Sequence, residues 1–510
     1  MTPAVAPYRS GQQAGRDGFP QLLRAEWTKF RTVRGCVAGM TAAALMVALF
    51  AVLAGISSNQ HDRPAVPIGP GGEPVTDSFY FVHQPLAGDG SVTVSVSALD
   101  SSVPEGLERL RPGVVPWAKA GLIVKESTRQ GSPYAAIMVT GSHGVRMQDD
   151  YVNDTAGLPG PVSATSVRWL RLSRSGDAIT GYASTDGTNW AKVGTAQVNG
   201  LGSTAQIGLF VASPQVAEGM GTSPSVSTAA FGDLRFQGRW TGGEWTSELL
   251  GAHSPTFSGF PGNASGSFTE SGGRFTVTGA GDIAPAVRET LPTGGTLSDI
   301  LNTGTFTALI AVIVVGALFI TTEYRKKLIH ITLTASPRRS RLLPAKAIVL
   351  GSVSFVAGLA GTVIAVPLGE RLARANGVYV FPVASSTELR VALGTAALLA
   401  TASTLALSVG AIFRNSASAV TTVIVAFVLP YILIANPFMP ASVANWLARV
   451  TPAAGFAVQQ TLVVYPQVTS HYTPYEGYYP LAPWTGFAVL VGYAVVSLAV
   501  ATVVLRRRDA

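Results

Sequence analysis

Three carboxylates crowd into the run Asp149-Asp150-Tyr151-Val152-Asn153-Asp154, and Glu126 follows a strand-like stretch. Sugar-cleaving sites set two carboxyls on opposite sides of a scissile bond. The run reads more simply as a polar hairpin, and Glu126 has no paired acid at alternate spacing, so no catalytic residue is assigned. His83 and His143 lack a second ligand-like neighbour and Cys36 is the only cysteine, so neither a metal nor a cofactor is assigned. There is no G-x-x-x-x-G-K-[ST] and no Gly-Lys dipeptide, so no P-loop can cradle nucleotide phosphates. Aromatic faces suit sugars, which makes Trp117, Tyr134 and Trp190 the candidate glycan contacts. Trp169, set between strand residues, is expected in a core.

The elements that would position these residues differ sharply in composition. Mean hydropathy is +0.34 with 13% charged residues, too apolar for a water-soluble chain of this length. Net charge is +8, unevenly spread: residues 57–303 hold 15 basic and 21 acidic side chains, the remainder 21 and 7. The basic excess lies beside apolar stretches, a membrane-orientation pattern rather than a nucleic-acid patch, so no nucleic acid is expected as partner. With one cysteine, the 57–303 segment has no disulfide and must rely on its own core.

Apolar stretches predict six spans, at 35–56, 304–322, 347–368, 389–412, 418–435 and 484–505. Arg24, Lys29, Arg31 and Arg34 precede the first, the 323–346 loop is basic, Arg414 sits in a short turn, and Arg506, Arg507 and Arg508 follow the last. All of these fall on one side, which places both termini in the cytoplasm and residues 57–303 outside. Residues 1–18 are expected to be a disordered N-terminus. The stretch 437–483 is either a pair of short helices dipping into the outer leaflet, broken at Pro440 and Pro452, or a folded outer loop. Residues 19–34 predict an amphipathic helix, with Leu23, Trp27 and Phe30 at i, i+4 and i+7 and basic residues turned to lipid headgroups.

The loop after the second span runs Thr321-Thr322-Glu323-Tyr324-Arg325-Lys326-Lys327, then Leu333-Thr334-Ala335-Ser336-Pro337-Arg338-Arg339, and ends Ala345-Lys346. Together with the opening Leu23-Arg24-Ala25-Glu26-Trp27-Thr28-Lys29-Phe30 and the Thr451-Pro452-Ala453-Ala454 turn, it resembles the permease subunits of type-2 ABC transporters, actinobacterial members in particular. The resemblance implies a homodimer, or a pair with a sibling permease, bound to cytoplasmic ATP-binding subunits in a bacterial plasma membrane. It also implies a docking surface for those subunits, expected at Leu23, Trp27, Phe30, Glu323, Arg325, Arg338 and Arg339. Glu323 is expected either to pair with Arg325, Lys326 or a partner residue, or to be a simple helix-end charge. The span interiors lack ionisable residues, which favours an ATP-driven partner over ion coupling.

Between residues 78 and 236, short β-patterned runs alternate with turn signals such as Asp186-Gly187. Trp117-Ala118-Lys119-Ala120-Gly121-Leu122, Arg168-Trp169-Leu170-Arg171-Leu172 and Gly181-Tyr182-Ala183-Ser184 resemble phrases of concanavalin/laminin-G-like domains. The expected fold class is therefore multidomain: a six-helix transmembrane bundle with an extracellular antiparallel β-sandwich inserted between spans 1 and 2. Strand 275–279 is expected to pair with the 78–97 strands in a permuted sandwich, and 238–272 to be irregular. Two functions fit. The first is an ABC permease, an exporter of an amphipathic substrate whose outer domain binds substrate or cell-envelope glycan. The second is a membrane-anchored glycan-recognition protein without transport. Six spans favour the first, because an anchor needs only one.

Overall fold

The computed structural model describes residues 18–57, 59–61, 65–105, 109–218, 221–240, 243–251, 266–291, 295–329 and 339–508. The helices are α1 (Phe19–Thr32), α2 (Arg34–Ser57), α3 (Leu297–Arg325), α4 (Leu342–Ala375), α5 (Ser385–Phe413), α6 (Ser416–Val423), α7 (Leu429–Ile434), α8 (Ala441–Val450) and α9 (Pro483–Arg508). Six helical segments are long and apolar enough to cross a membrane: α2, α3, α4, α5, the run Ser416–Ile434, and α9. The last run holds a π-turn at Ile424–Val428 just before Pro430. Proline has no N–H to give its helix, and a wider turn there absorbs the missing bond.

The second of these helices starts at Leu297, earlier than hydropathy places it. Thr296 and Asp299 form a reciprocal capping box at its start. Thr-x-x-Asp is the sequence signature of such a start, and it lies inside the segment assigned to the insert.

Of the two readings left open for the stretch after residue 437, the structure has short helical elements there, α8 and a 3-10 helix, Pro452–Gln459. Every residue of the latter is buried, and it packs on α5 and α9. Gln459 donates to Thr305 Oγ1 at 3.0 Å and Thr395 Oγ1 at 2.9 Å, so its amide is satisfied among helices. Arg390 closes the element, donating to Val458 O and Gln460 O at 3.1 and 2.6 Å, where helical carbonyls would otherwise be orphaned.

Residues 75–285 form two antiparallel sheets of eight strands each. The first runs in the order 246–250, 75–87, 204–212, 119–125, 134–140, 145–149 and 153–156, with 282–285 also paired to 75–87. The second runs 191–197, 178–184, 168–175, 90–105, 226–238, 274–279 and 267–271, with 109–112 on 90–105. Val82, Leu122, Ile137 and Leu209 of the first and Val94, Leu170, Ile179 and Phe231 of the second belong to one buried cluster. Alternation along each strand sends the remaining side chains to the opposite faces.

Two expectations fail here. Strand 274–279 pairs with 226–238 and 267–271, not with the 78–97 strands. It is Asp282–Pro285 that pairs with Val75–Ser78 and draws the two ends of the insert together. Gly281, with φ +86°, makes that crossing: a Cβ there would lie 2.1 Å from Ser78 O. The 238–272 stretch is not irregular throughout, because Thr246–Leu250 and Ser267–Ser271 are strands; 252–265 lies outside the described residues.

The insert is also tied to the helical part. Arg288 makes a two-point ion pair with Asp299 (3.0 and 3.2 Å) at the start of α3, and Glu289 accepts from the ring and backbone nitrogens of His471 at 3.0 and 3.1 Å. Gln467 donates to Val152 O at 3.1 Å, and Ala284 and Val287 pack on Val468. These contacts come from the first sheet and the chain beyond it.

Because strands 75–78 and 282–285 close the insert, a segment cut at Val75 and Pro285 should fold alone, β-rich and with a cooperative melt. Cutting at Asp77 and Ile283 removes half of that pair and should lower the melting temperature, measured by circular dichroism.

Candidate functional site

Helix α1 opens with Pro20 in its first turn and carries Lys29 and Arg31 in its last. Its buried residues are Glu26 and Phe30, with Leu22 and Leu23 packed beside them. Trp27 is 48% exposed and stacks on Phe30 at 6.4 Å. The apolar stripe is therefore rotated from the one the sequence indicates: Trp27 faces outward, and a carboxylate occupies the centre of the buried face.

Glu26 lies there because a buried cation meets it. Lys346, at the start of α4 and fully buried, donates to Glu26 Oε2 at 2.6 Å and Glu323 Oε1 at 2.7 Å. Lys29 reaches the same two carboxylates from α1, at 2.9 and 3.3 Å. Two acids and two bases thus alternate around a ring joining α1, the end of α3 and the start of α4. The Lys346 ammonium also lies 4.7 Å from the centroid of the Phe319 ring, which packs edge-on against Phe30. Burial acts to lower the Lys29 pKa, but the two carboxylates outweigh it and the net shift is upward, holding the ammonium charged. Glu323 therefore pairs with Lys29 and Lys346, not with Arg325 or Lys326 as expected. Chain-distant cations reach it first, because α1 folds back under the helix ends.

A cavity of about 490 Å³ opens between the end of α3 and the turn into α6. Thr321, Thr322, Tyr324, Arg325, Lys327 and Arg414 line it, and the Arg414 guanidinium stacks over Tyr324 at 5.0 Å. Of the expected docking residues, Leu23, Phe30 and Glu323 are thus brought together, with Trp27 exposed on the same helix and Arg325 at the cavity. Arg339 begins a short 3-10 turn before α4, and Arg338 lies outside the described residues. Sequence reasoning missed Glu26 and Lys346 as a pair. The available signal was Glu26 at i+3 from Leu23 and i−4 from Phe30, on the apolar face.

The candidate glycan contacts fare differently. Tyr134 is fully buried, edge-on to Tyr151 at 4.8 Å, and Trp117 is 7% exposed, stacked on His143 at 3.9 Å. Both are packed inside the insert, which removes them as ligand contacts. Trp190 is half-buried beneath Arg171. Trp169 is also half-buried, on the outer face of its strand rather than in the core.

The three clustered acids are absorbed locally. Asp154 takes Arg146 and Gln148, Asp149 accepts from Asn153, and Asp150, with φ 43°, turns the hairpin and accepts from Tyr134 N. Among the described residues no cluster of three or more metal-ligating side chains occurs. Partial burial, with the neighbouring Asp149 and Glu73, pushes the Asp150 carboxyl up to about 6. Its folded-state pKa exceeds the unfolded value, so it favours folding in acid and loses that contribution as pH rises through 4 to 6. Asp150→Asn should remove this slope and raise stability at pH 7 by less than about 1 kcal/mol, discounted for its half-exposed position. Melting curves at pH 4.5 and pH 7 check this.

No curated protein matches the chain. Among solved structures, the matches include a functionally unknown protein from Saccharomyces cerevisiae (14% identity, 35% of this chain and 84% of that one, TM-score 0.22). They also include scytalido-glutamic peptidase (9%, 40% and 98%, 0.24) and a GH43 protein from Bacillus licheniformis (14%, 29% and 27%, 0.18). At these scores the likenesses carry no argument about fold or activity. Residues 173–510, well over half of the chain and including five of the six apolar helical segments, match the family described as ABC-2 family transporter protein. With helices that suit a bilayer and an amphipathic helix locked beneath them, the chain belongs to that family: it is a multi-pass membrane permease of an ABC transporter, which works with an ATP-binding partner subunit.

Proposed function

We propose that this chain is the membrane-spanning subunit of an ABC exporter in a bacterial plasma membrane, paired with a second copy or a sibling permease. A separate cytoplasmic ATP-binding subunit docks on α1 and the 323–346 loop. The observation that carries the reading is the ring of buried Glu26, Glu323 and Lys346 with part-exposed Lys29, which fastens α1 to the ends of two spans. A force applied to α1 by a partner therefore reaches α3 and α4 directly. Trp27 and the basic rim at Arg325 are left facing outward for contact. The basic excess around these elements supports their cytoplasmic placement, with the insert outside as a β-sandwich and Pro452–Gln459 re-entering from the outer face.

The test is co-purification of the ATP-binding subunit with the full chain. Trp27→Ala, or Arg325→Glu with Arg338→Glu and Arg339→Glu, should reduce recovery of the partner several-fold while membrane insertion stays intact. Unchanged recovery in both variants would remove this surface as the docking site.

A further inference from the structure

The outer face of the second sheet carries an arrangement that the transport reading does not use. Leu170 and Leu172 point into the core, so Trp169, Arg171 and Ser173 point out. Arg171 lies opposite Tyr182 on one neighbouring strand and Thr93 on the other. Its guanidinium carbon sits 3.9 Å from the centroid of the Trp190 ring, and its Nε donates to Thr93 Oγ1 at 2.9 Å. Stack and hydrogen bond fix the plane of the fork. Among the described residues, the two terminal Nη nitrogens make no hydrogen bond within the protein.

Lys192 lies opposite Tyr182, Arg235 lies opposite Thr93, and both are exposed. Two carboxylates are near and both are engaged: Asp233 accepts from Ser95 Oγ, and Asp186 accepts the backbone N–H groups of Thr188 and Asn189. Gly187, with φ +73°, lets the 184–190 turn sit on the Trp169 ring, where a Cβ would come within 2.9 Å. The result is a basic, aromatic platform on an insert that otherwise carries more acids than bases. No hydrogen bond or ion pair joins it to the helices among the described residues.

We propose that this platform binds a carboxylate-bearing sugar, a uronate unit of an acidic polysaccharide. The planar fork of Arg171 matches a carboxylate through two parallel N–H donors, and its orientation is set before the ligand arrives. Half-buried Tyr182, on the strand next to Arg171, offers a ring face to the C–H face of a pyranose. Lys192 and Arg235 extend the positive charge along the strands, towards neighbouring units of the polymer. The proposal rests on placing the insert outside the membrane, and it is independent of how the ATP-binding subunit docks.

The test uses the full chain in detergent micelles, titrated calorimetrically with an oligogalacturonate, a neutral malto-oligosaccharide and a glycerol-phosphate oligomer. The oligogalacturonate should bind, weaken with added salt, and weaken at least about tenfold in Arg171→Gln. Arg171→Lys, which keeps the charge but loses the fork, should lose most of that affinity too. Trp190→Ala should act like Arg171→Gln, with melting curves confirming that each variant is folded. Absence of uronate binding by the parent overturns the proposal, as does equal or tighter binding of the neutral or phosphate oligomer. Binding that none of the three variants changes overturns it as well. Recovery of the ATP-binding subunit, followed on the same samples, should not respond to these substitutions, so failure of the docking reading registers separately.

Discussion

Replacing Lys346 by methionine is expected to destabilise the helical part by about 3–5 kcal/mol, the usual cost of removing one partner from a buried ion pair. Lys346 is fully buried and contacts both Glu26 and Glu323. Without it, two carboxylates face each other in an apolar setting, with only the part-exposed Lys29 between them. Desolvation and like-charge repulsion then act in the same direction. Helix α1 should come loose first, because it is held mainly by this ring and by Phe30. Thermal unfolding in detergent micelles, with protease sensitivity of the 19–34 segment as a local probe, reads the effect. Neutralising the three buried members with Glu26→Gln, Glu323→Gln and Lys346→Met, which leaves only the part-exposed Lys29 charged, should recover most of the lost stability. A single variant that melts like the parent would show that water reaches the ring.

In the insert the comparable position is Asp77, and Asp77→Ala is expected to cost about 3–5 kcal/mol there. One oxygen of this buried carboxylate accepts from Lys125 Nζ (2.8 Å), Tyr151 OH (2.7 Å) and Gly131 N (2.8 Å). Removing it strands the fully buried Lys125 ammonium on Ser132 O and Tyr151 OH. Burial already lowers the Lys125 pKa from 10.5, and Asp77 is the main force opposing that shift. Loss of Asp77 lowers it further. The unfolded chain then binds more protons than the folded one, so stability of the variant rises with pH. The deficit should be full below the folded-state pKa of Lys125 and shrink as the pH approaches 10.5. Melting curves at pH 7 and pH 10 test this. Adding Lys125→Met to Asp77→Ala should restore stability and abolish the pH dependence.

These two sites also mark where reading the sequence stops working. The six apolar helices were legible, because a run such as Thr305–Ile320 has no charged residue and no alternative to a bilayer or a buried core. Strands such as Arg168–Ser175 were legible from alternation. Lys346 and Asp77 were not: a charged residue looks like solvent-facing surface until its partner is known, and these partners lie hundreds of residues away or on another strand. Tyr134 and Trp117 failed as ligand contacts for the converse reason. Aromatic residues in a β-pattern carry no mark of which face they take, and register alone decides it. The pairing of 274–279 was misjudged because likeness to an opening strand says nothing about which neighbour accepts its hydrogen bonds. Thr296-x-x-Asp299 could have corrected the start of α3, since a capping box is local and needs no distant partner.

Helix α3 is one unbroken run of 29 residues, about 43 Å long. Asp299 at one end is gripped by Arg288, in the short 3-10 turn just after the insert's last strand, and Glu323 near the other by Lys346 and Lys29. A rod pinned at both tips has no slack. A tilt of about 10° around its midpoint swings each tip by roughly 4 Å in opposite directions. Any rocking of α3 is therefore expected to carry the insert and α1 in opposite directions, like the two arms of a seesaw.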